Sequence, residues 1–469
     1  MRVHFLGIGG SGASAAAKIA EAQGFEVTGC DLEPDNEFTS VFKPHQLLKG
    51  HSPQHLYCHP ERLAKDLPRM WVSNKCCETT ALQRRDSSSM TPQNDNLIDI
   101  LAVTPAIYSL DPDNDELREA RKREIGIMTW QQFLGQHLTK NQFVIAVAGT
   151  HGKTTTTAMI AKILEDANLD PTVELGAIIP KWGTNYRIPI QKPHDRGFIV
   201  IEADEFNDNF LSFKPDITVV TNIEMDHPEY FKDFEAVKTS FKKFLLQTKN
   251  TIFANLSDTT VAEIIKVVMK ESKITCFDYS NNEQRFNLKI PGHFNQLNAS
   301  AAFKVGLMLG IEPQVIKDSL ESFTGAGRRF EYIGEYNEAK VYSDFGHHPT
   351  EIEKTMEAVR EKFPKERVLL IYQPHMFSRT KALFEDFVKV FKNIPADKTF
   401  IIDIYPSREI DTGQTSSKEL VSAIDKEEVI HAGSASEVLE KIKPEIKEGD
   451  ILFFMSAGDT DKLAKELVG

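Results

Sequence analysis

Cysteine is scarce in this chain: Cys30, Cys58, Cys76, Cys77 and Cys276 are the only five in 469 residues. So thin and odd a set excludes a secreted disulfide scaffold. No uninterrupted apolar run approaches the roughly 18 residues of a membrane-crossing helix. The opening MRVHFLGIGG carries no basic leader, apolar core or cleavage site, so a cytoplasmic protein without membrane association is expected. Positive charge is also short, with 55 Lys+Arg against 68 Asp+Glu and a net charge of −13. An acidic surface does not suit a nucleic-acid backbone, whereas a small phosphorylated ligand needs only local donors. The remainder, 41% hydrophobic and 26% charged, is the balance of a folded globular chain. At about 150 residues per domain, the length suggests roughly three domains.

The pattern along the chain agrees. Val3 to Leu6 reads as a buried strand, followed by a glycine turn, an alanine-rich helix from about Ser14 and a second strand from Glu26 to Gly29. Residues 34–96 lose this rhythm, and the stretch 58–96 reads as an exposed insertion. A second α/β alternation starts at Gln142 with FVIAVAG, and a third near Tyr332, with strands at about 367–372, 398–404 and 450–455. The expected fold class is α/β in three domains: Rossmann-like at 1–140, a central P-loop ATPase type at 141–327, and Rossmann-like again at 328–469.

The sharpest motif is Gly149-Thr150-His151-Gly152-Lys153-Thr154-Thr155, set between a buried strand and a helix. Its glycines let backbone N–H groups curl around a phosphate, Lys153 adds a full charge, and the Thr154 hydroxyl suits a magnesium ion. Val147 stands where the general pattern has glycine, so this is a shortened variant of the nucleotide loop. The N-terminal Gly7-Ile8-Gly9-Gly10-Ser11-Gly12, with Asp31 about twenty residues on, is a weaker dinucleotide fingerprint, open both to a nicotinamide dehydrogenase and to glycines that merely permit packing.

Two acidic clusters, Glu202-Ala203-Asp204-Glu205 and Asp226-His227, fall at the ends of expected parallel strands, where ligands of open sheets bind. Glu202 suits a magnesium ion, while His227 alone reads more readily as a capped strand-end histidine. In the last third, Ser343-Asp344-Phe345-Gly346-His347-His348-Pro349 and Tyr372-Gln373-Pro374-His375, leading to Arg379, favour substrate contacts over metal, because no full ligand count is present. His51, His55 and His59 are spaced four apart beside Cys58, but Pro53 and Pro60 interrupt a helix there, and surface histidines are the plainer reading. Cys76-Cys77 has no partner pair at zinc-ribbon spacing.

Taken in order, GTHGKTTTT at 149–157, IEADE at 201–205, TNIEMDH at 221–227, RRFE at 328–331, SDFGHHPTE at 343–351 and YQPHMFSRT at 372–380 resemble the Mur ligases across all three domains. The set, with GIGGSG at 7–12, is most similar to the branch that joins L-alanine to UDP-N-acetylmuramate in peptidoglycan precursor synthesis. The resemblance implies an ATP- and Mg2+-dependent amide ligase, working through an acyl phosphate on small-molecule substrates, and a monomer or weak dimer. The glycine turn would then lie against a UDP diphosphate, and the dehydrogenase reading falls: similar fold logic, different ligand.

Carried over position by position, the resemblance puts Gly149, Thr150, Gly152, Lys153, Thr154 and Thr155 on the ATP phosphates, Asn295 and Asn298 on adenine, Arg329 on a phosphate and Asp344 on the ribose. Thr154, Glu202 and His227 would hold the metal. Gly9, Gly10, Ser11, Gly12, Asp31, His51, His151, Thr184 and Asn185 would serve the UDP-sugar. His375 and Arg379 would take the amino acid, a carboxylate task that guanidinium suits. Lys153 and Arg329 would stabilise the phosphoryl group, with His348 as proton acceptor for the amine.

The family's usual residues are replaced at Met376 (Arg), Phe294 (His) and Ser343 (Asp), and Phe206-Asn207-Asp208-Asn209 stands where a serine-rich run is usual. That run and MDHPEYF lean toward the sister ligase that recycles a murein tripeptide. A folate-polyglutamate type of ligase and a non-catalytic nucleotide-binding protein are further readings. Lys242 lies at a suggestive distance after the DH motif for the carbamylated lysine of another branch.

Overall fold

The structure, a computed structural model, describes residues 1–56, 97–191, 196–281, 284–407 and 409–469. The chain divides into two compact units, Met1–Lys140 and Asn141–Gly469.

The first unit is a parallel sheet of β1 (Arg2–Leu6), β2 (Glu26–Asp31), β3 (Leu47–Lys49), β4 (Ile100–Val103) and β5 (Gly126–Thr129), in the order β3-β2-β1-β4-β5. The reversal of strand order beside β1 is the switch point of a doubly wound sheet, and the glycine turn 7–12 leaves β1 there. Two of its glycines have separate reasons. Gly7 has φ +83°, and a side chain at Gly12 would run into the indole of Trp130. The adjoining helix Ser11–Ala22 carries alanines at 13, 15, 16, 17 and 20, all buried, so it sits close on the sheet. The readings of His59, Cys58 and Cys76-Cys77, like the 58–96 insertion itself, lie outside the described residues.

The second unit holds two sheets. One runs β12-β11-β10-β6-β9-β7-β8, from β6 (Gln142–Ala148), β7 (Thr172–Ile179), β8 (Thr184–Arg187), β9 (Gly197–Glu202), β10 (Ile217–Val220), β11 (Thr251–Ala254) and β12 (Thr275–Asp278). All its pairings are parallel except β7 with β8. β6 is central and buried from Val144 to Ala148, which is why it reads as an unbroken apolar run. Val147 belongs to this strand and pairs with Glu202, so the loop can only begin two residues later and is accordingly short.

The other sheet runs β13-β14-β18-β15-β16-β17, from β13 (Glu331–Tyr336), β14 (Ala339–Asp344), β15 (Val368–Tyr372), β16 (Lys398–Ile402), β17 (Val429–Gly433) and β18 (Ile451–Met455), with only β13 and β14 antiparallel. Separate apolar clusters cover its two faces, as a parallel sheet requires. Among the described residues no helix is long and apolar enough to cross a membrane.

Candidate active site

The turn after β6 is shaped by backbone that only glycine adopts freely. Gly149 has φ +138° and Gly152 φ +83°, and a Cβ at Gly152 would lie 2.7 Å from the Asn298 side-chain oxygen. The helix Lys153–Asp166 starts there, so its unpaired N–H groups face the turn. Lys153 Nζ donates to the Gly149 carbonyl at 2.6 Å, the Thr150 carbonyl at 3.2 Å and Glu205 Oε2 at 2.8 Å, which uses all three ammonium hydrogens. Burial opposes that charge, but Glu205 and Asp204 outweigh it and hold the lysine protonated.

The Thr154 hydroxyl donates to Glu202 Oε1 at 2.8 Å, and the Gly176 N–H to Glu202 Oε2 at 2.8 Å. Asp204, Glu205 and His227 bring one ligand atom each within 4.8 Å of one another. His227 has φ +55°, and its Nδ1 lies 3.2 Å from Glu229. Burial lowers its pKa, and Asp226 more than restores it. A hydroxyl beside carboxylates under a phosphate loop is a hard-oxygen donor set, which fits magnesium rather than a soft metal.

The third sheet closes the cavity from the other side. Arg329 Nη2 reaches the Thr154 hydroxyl at 3.4 Å, and the Arg329 guanidinium lies 4.9 Å from the Phe345 ring centroid. Arg329 Nε and Glu205 Oε1 are buried without a hydrogen-bond partner. Asp344, at the end of β14, accepts from the N–H groups of Phe330 at 2.9 Å and Gly346 at 2.8 Å.

His151 is the main charged link across the cavity. Its Nδ1 lies 3.1 Å from Glu351 and its Nε2 3.6 Å from Glu224. Burial disfavours the cation, but Glu351 and Glu224 push the imidazole up to about 10. Burial likewise works against Glu224, which His151 pulls down to about 2. The His348 ring packs against that of His151, tilted by 47° with centroids 4.8 Å apart.

The His348 Nδ1 accepts from the Thr350 N–H at 3.3 Å and its Nε2 lies 3.2 Å from the Met225 carbonyl. Both nitrogens are therefore engaged in capping the helix Pro349–Lys362 and fastening it to the central sheet. That geometry favours a positioning part over proton acceptance. Arg379, fully buried, donates from Nε to Asp226 at 2.9 Å and from Nη1 to His375 Nδ1 at 3.1 Å.

Lys153, Thr154, Glu202, Asp226, His227, Arg329, His347, His375 and Arg379 all line one cavity. His151, Gly152, Thr155, Asn295, Asn298 and Asp344 line a second, with Gly152, Arg329 and Glu351 bordering both. Asn295 is held by the Pro291 carbonyl at 2.7 Å and in turn accepts from Asn298 at 3.2 Å. Phe294 is on the same wall.

In the first unit, the Gly9 N–H donates to Asp31 Oδ2 at 2.9 Å, so Asp31 braces the glycine turn, with Gly10, Ser11 and Gly12 following it. His51 lies 3.4 Å from Cys30 Sγ. The other residues expected to serve the sugar sit in the second unit. The Thr184 hydroxyl donates to the Tyr186 carbonyl at 2.6 Å, and Asn185 is buried against the Leu175 carbonyl. Lys242 pairs with Glu271 at 2.7 Å on the outer helices and lines neither cavity, which separates it from the site.

One departure finds a physical reason, and a second, Met376, has none in its contacts. Asn207 and Asp208 both have φ +55°, a left-handed pair that Asn and Asp tolerate best, and Asp208 accepts from the Tyr230 hydroxyl at 2.9 Å. The unusual run at 206–209 and the Tyr230 of MDHPEYF are thus one interlocked feature. Met376 has φ +70°, is fully buried, and its sulfur lies 4.0 Å from Arg379 Nη1.

Glu205, Asp226, Glu351, Glu224 and His347 were not singled out by the sequence reading for roles of their own. Glu205 and Asp226 lay in the two acidic clusters and His347 in the paired-histidine segment, while Glu351 left a signal three residues after His348 in a capping box. Burial pushes the His347 imidazole down to about 3, so it is neutral.

A phosphate loop with paired acids, faced by arginines from a second α/β sheet, defines a nucleotide-using enzyme. Family models agree on a narrower class. Mur ligase middle domain matches residues 147–285; Mur ligase, glutamate ligase domain, 328–458; and Mur ligase family, catalytic domain, 2–41.

The chain is 35% identical to a UDP-N-acetylmuramate–L-alanine ligase of Aquifex aeolicus, covering 100% of this chain and 97% of that protein. It is 34% identical to the same-named ligase of Clostridium kluyveri, over 98% and 96%. Among solved structures, the UDP-N-acetylmuramate–alanine ligase of Thermotoga maritima is similar with TM-score 0.72 at 24% identity, covering 100% of this chain and 98% of that one. A murein peptide ligase of Psychrobacter arcticus follows with TM-score 0.67 at 22%, covering 100% and 98%. The chain belongs to the Mur ligase family.

Proposed function

We propose that this enzyme joins L-alanine to the lactyl carboxylate of UDP-N-acetylmuramate, with ATP converted to ADP and phosphate, as a step of peptidoglycan precursor synthesis. The observation that carries the reading is the single cavity in which Lys153, Thr154, Glu202 and Arg329 converge, with Arg379 on its far wall. Full-length similarity to relatives bearing that activity supports the substrates.

A carboxylate is a poor acyl donor because oxide is a bad leaving group. Transfer of the γ-phosphoryl group makes an acyl phosphate, which an amine attacks with loss of phosphate. Lys153 and Arg329 offset the charge that builds on the phosphoryl oxygens. Thr154 and Glu202, with His227 nearby, would hold magnesium, which when bound shields the negative charge of the phosphates. Asn295, Asn298 and Asp344 take adenine and ribose in the adjoining cavity. The glycine turn 7–12, Asp31 and His51 take the UDP moiety.

Arg379 and His375 take the amino-acid carboxylate, with Asp226 holding the guanidinium in place. Phe345, Arg329 and Glu351 line the cavity where the acyl phosphate would form, and water must be kept from it there. The scarce cysteines and the composition support a cytoplasmic protein, and the family resemblance implies a monomer or weak dimer.

The 206–209 run and MDHPEYF, interlocked through Asp208 and Tyr230, favour a second reading, a ligase that takes a murein tripeptide. Purified protein with ATP, magnesium and UDP-N-acetylmuramate is offered L-alanine or L-Ala-γ-D-Glu-meso-diaminopimelate separately, and phosphate release and product mass are read. A product heavier by one alanyl residue is expected. A tripeptide adduct selects the second reading, and turnover with neither acceptor refutes both.

A further inference from the structure

Far from the phosphate loop in sequence, the first unit gathers four metal-ligating side chains that the proposed reaction does not use. His4 on β1 and Cys30 on β2 are fully buried, and so is Glu116 in the first turn of the helix Asp115–Lys122. His55 joins them from the short turn Pro53–Leu56. One ligand atom from each residue lies within 4.8 Å of the others.

Cys30 Sγ is 3.2 and 3.5 Å from the two Glu116 oxygens, His55 Nδ1 is 2.8 Å from Oε1, and His4 Nε2 is 3.5 Å from Oε2. In a tetrahedral zinc site with bonds of 2.0–2.3 Å, neighbouring ligand atoms are about 3.3–3.7 Å apart; taken at Glu116 Oε2, Cys30 Sγ and His4 Nε2 both meet that spacing at 3.5 Å, while His55 approaches the other oxygen.

A hydrogen-bonded hub around Glu116 is the plain alternative, and it accounts for part of the arrangement. The Ser52 N–H donates to Glu116 Oε1 at 2.6 Å, and His55 shares the same oxygen. It holds His4 only loosely, at 3.5 Å from Oε2. His4 Nδ1 lies 2.8 Å from the Thr28 hydroxyl, which orients the ring, while the buried Nε2 is aimed into the cluster, facing Glu116 Oε2 at 3.5 Å, too far and too poorly aligned for a good hydrogen bond. One ring nitrogen anchored by a neighbour and the other presented to the centre is how ligating histidines are held. Thr28 and Cys30, two residues apart on β2, share a sheet face, so the anchor and the thiol arrive together.

We propose that His4, Cys30, His55 and Glu116 form a closed, four-ligand site for a borderline-soft divalent cation, zinc by its donor set. A thiolate and a carboxylate would balance the charge of the ion, and loading would release the Cys30 proton to solvent. Four protein ligands leave no position for a substrate, so the site is structural. It would tie the turn 53–56 and the helix 115–122 to β1 and β2.

The test uses the full chain, stripped with a chelator, equilibrated with zinc alone, desalted and analysed for metal. One zinc per chain is expected, together with a higher thermal midpoint. Cobalt in its place should give the near-ultraviolet band of a thiolate–cobalt bond. Cys30→Ser should abolish that band and lower zinc retention at least tenfold. His55→Gln, at the rim of the cluster, should also lower retention and serves if Cys30→Ser does not fold. Wild-type protein that retains no zinc overturns the proposal, and so does zinc retained equally by both variants, which would place the metal elsewhere in the chain.

Discussion

The His151 cation offers the most quantitative check on how the site is held together. His151 belongs to the phosphate loop, Glu224 to the segment after β10 and Glu351 to the helix that follows β14, so the three charges fasten the two sheets of the second unit to one another. The perturbation is His151→Gln, which keeps a polar side chain and removes the charge.

Burial opposes the cation, yet its carboxylate partners raise His151 from 6.5 to about 10. At about 1.4 kcal/mol per pH unit, that interval sets a ceiling of about 5 kcal/mol. Because the folded value is raised, the contribution is fully present below about pH 6.5 and is lost as pH rises through about 10. Between pH 7 and pH 9 the linkage relation gives a loss of about 2–3 kcal/mol. Glu224, held down to about 2, stays ionised across that window, and Glu351 is likewise held well below the usual carboxylate range; the slope therefore belongs to the histidine.

Urea unfolding followed by circular dichroism, at both pH values, should show the wild-type protein losing that much more stability than His151→Gln. Equal losses in the two proteins would refute the clamp, because every other titrating group is common to both.

Lys153→Met should lower ATP-dependent phosphate release by at least about a hundredfold, the usual cost of one transition-state donor, while a folded circular-dichroism spectrum is kept; near-normal turnover would contradict the phosphate assignment. Gly152→Ala places a side chain at φ +83° and 2.7 Å from the Asn298 oxygen, and calorimetry should find ATP binding weakened about tenfold or more. Arg379→Lys cannot span both Asp226 and His375, so the KM for the amino acid should rise at least about tenfold with the KM for ATP nearly unchanged; the opposite split would move Arg379 to the nucleotide. Glu202→Gln should raise the magnesium concentration needed for half-maximal activity without altering the thermal midpoint by more than a few degrees, and an unshifted magnesium curve would remove Glu202 from the metal position.

Much of the fold was legible because its signals are local. A buried parallel strand is an unbroken apolar run, and a phosphate turn must be built of glycine wherever φ is positive. Hence β1, β6 and the loops at Gly7 and Gly149–Gly152 could be read directly. The second unit was harder to read as one body, since the contacts that join its two sheets, such as Arg379 to Asp226 across 153 residues, leave no periodicity in the chain. Histidines were the least legible of all. His348 looked like a free base beside a turn, but only the fold shows its two nitrogens engaged. His55 looked like a surface residue, but the fold brings it to within hydrogen-bond distance of a buried glutamate 61 residues away.

By itself, then, the sequence determined the α/β class, the strand–turn–helix units and the phosphate loop, because hydrophobic periodicity and backbone freedom act over a few residues. The tertiary structure decided the protonation and partners of the charged side chains. His151 is cationic, His347 is neutral, and Lys153 is held by three acceptors, because burial and neighbouring charges set each state. Those neighbours come from distant segments, and Coulomb energy at a few ångströms depends on separation in space, to which spacing along the chain is blind.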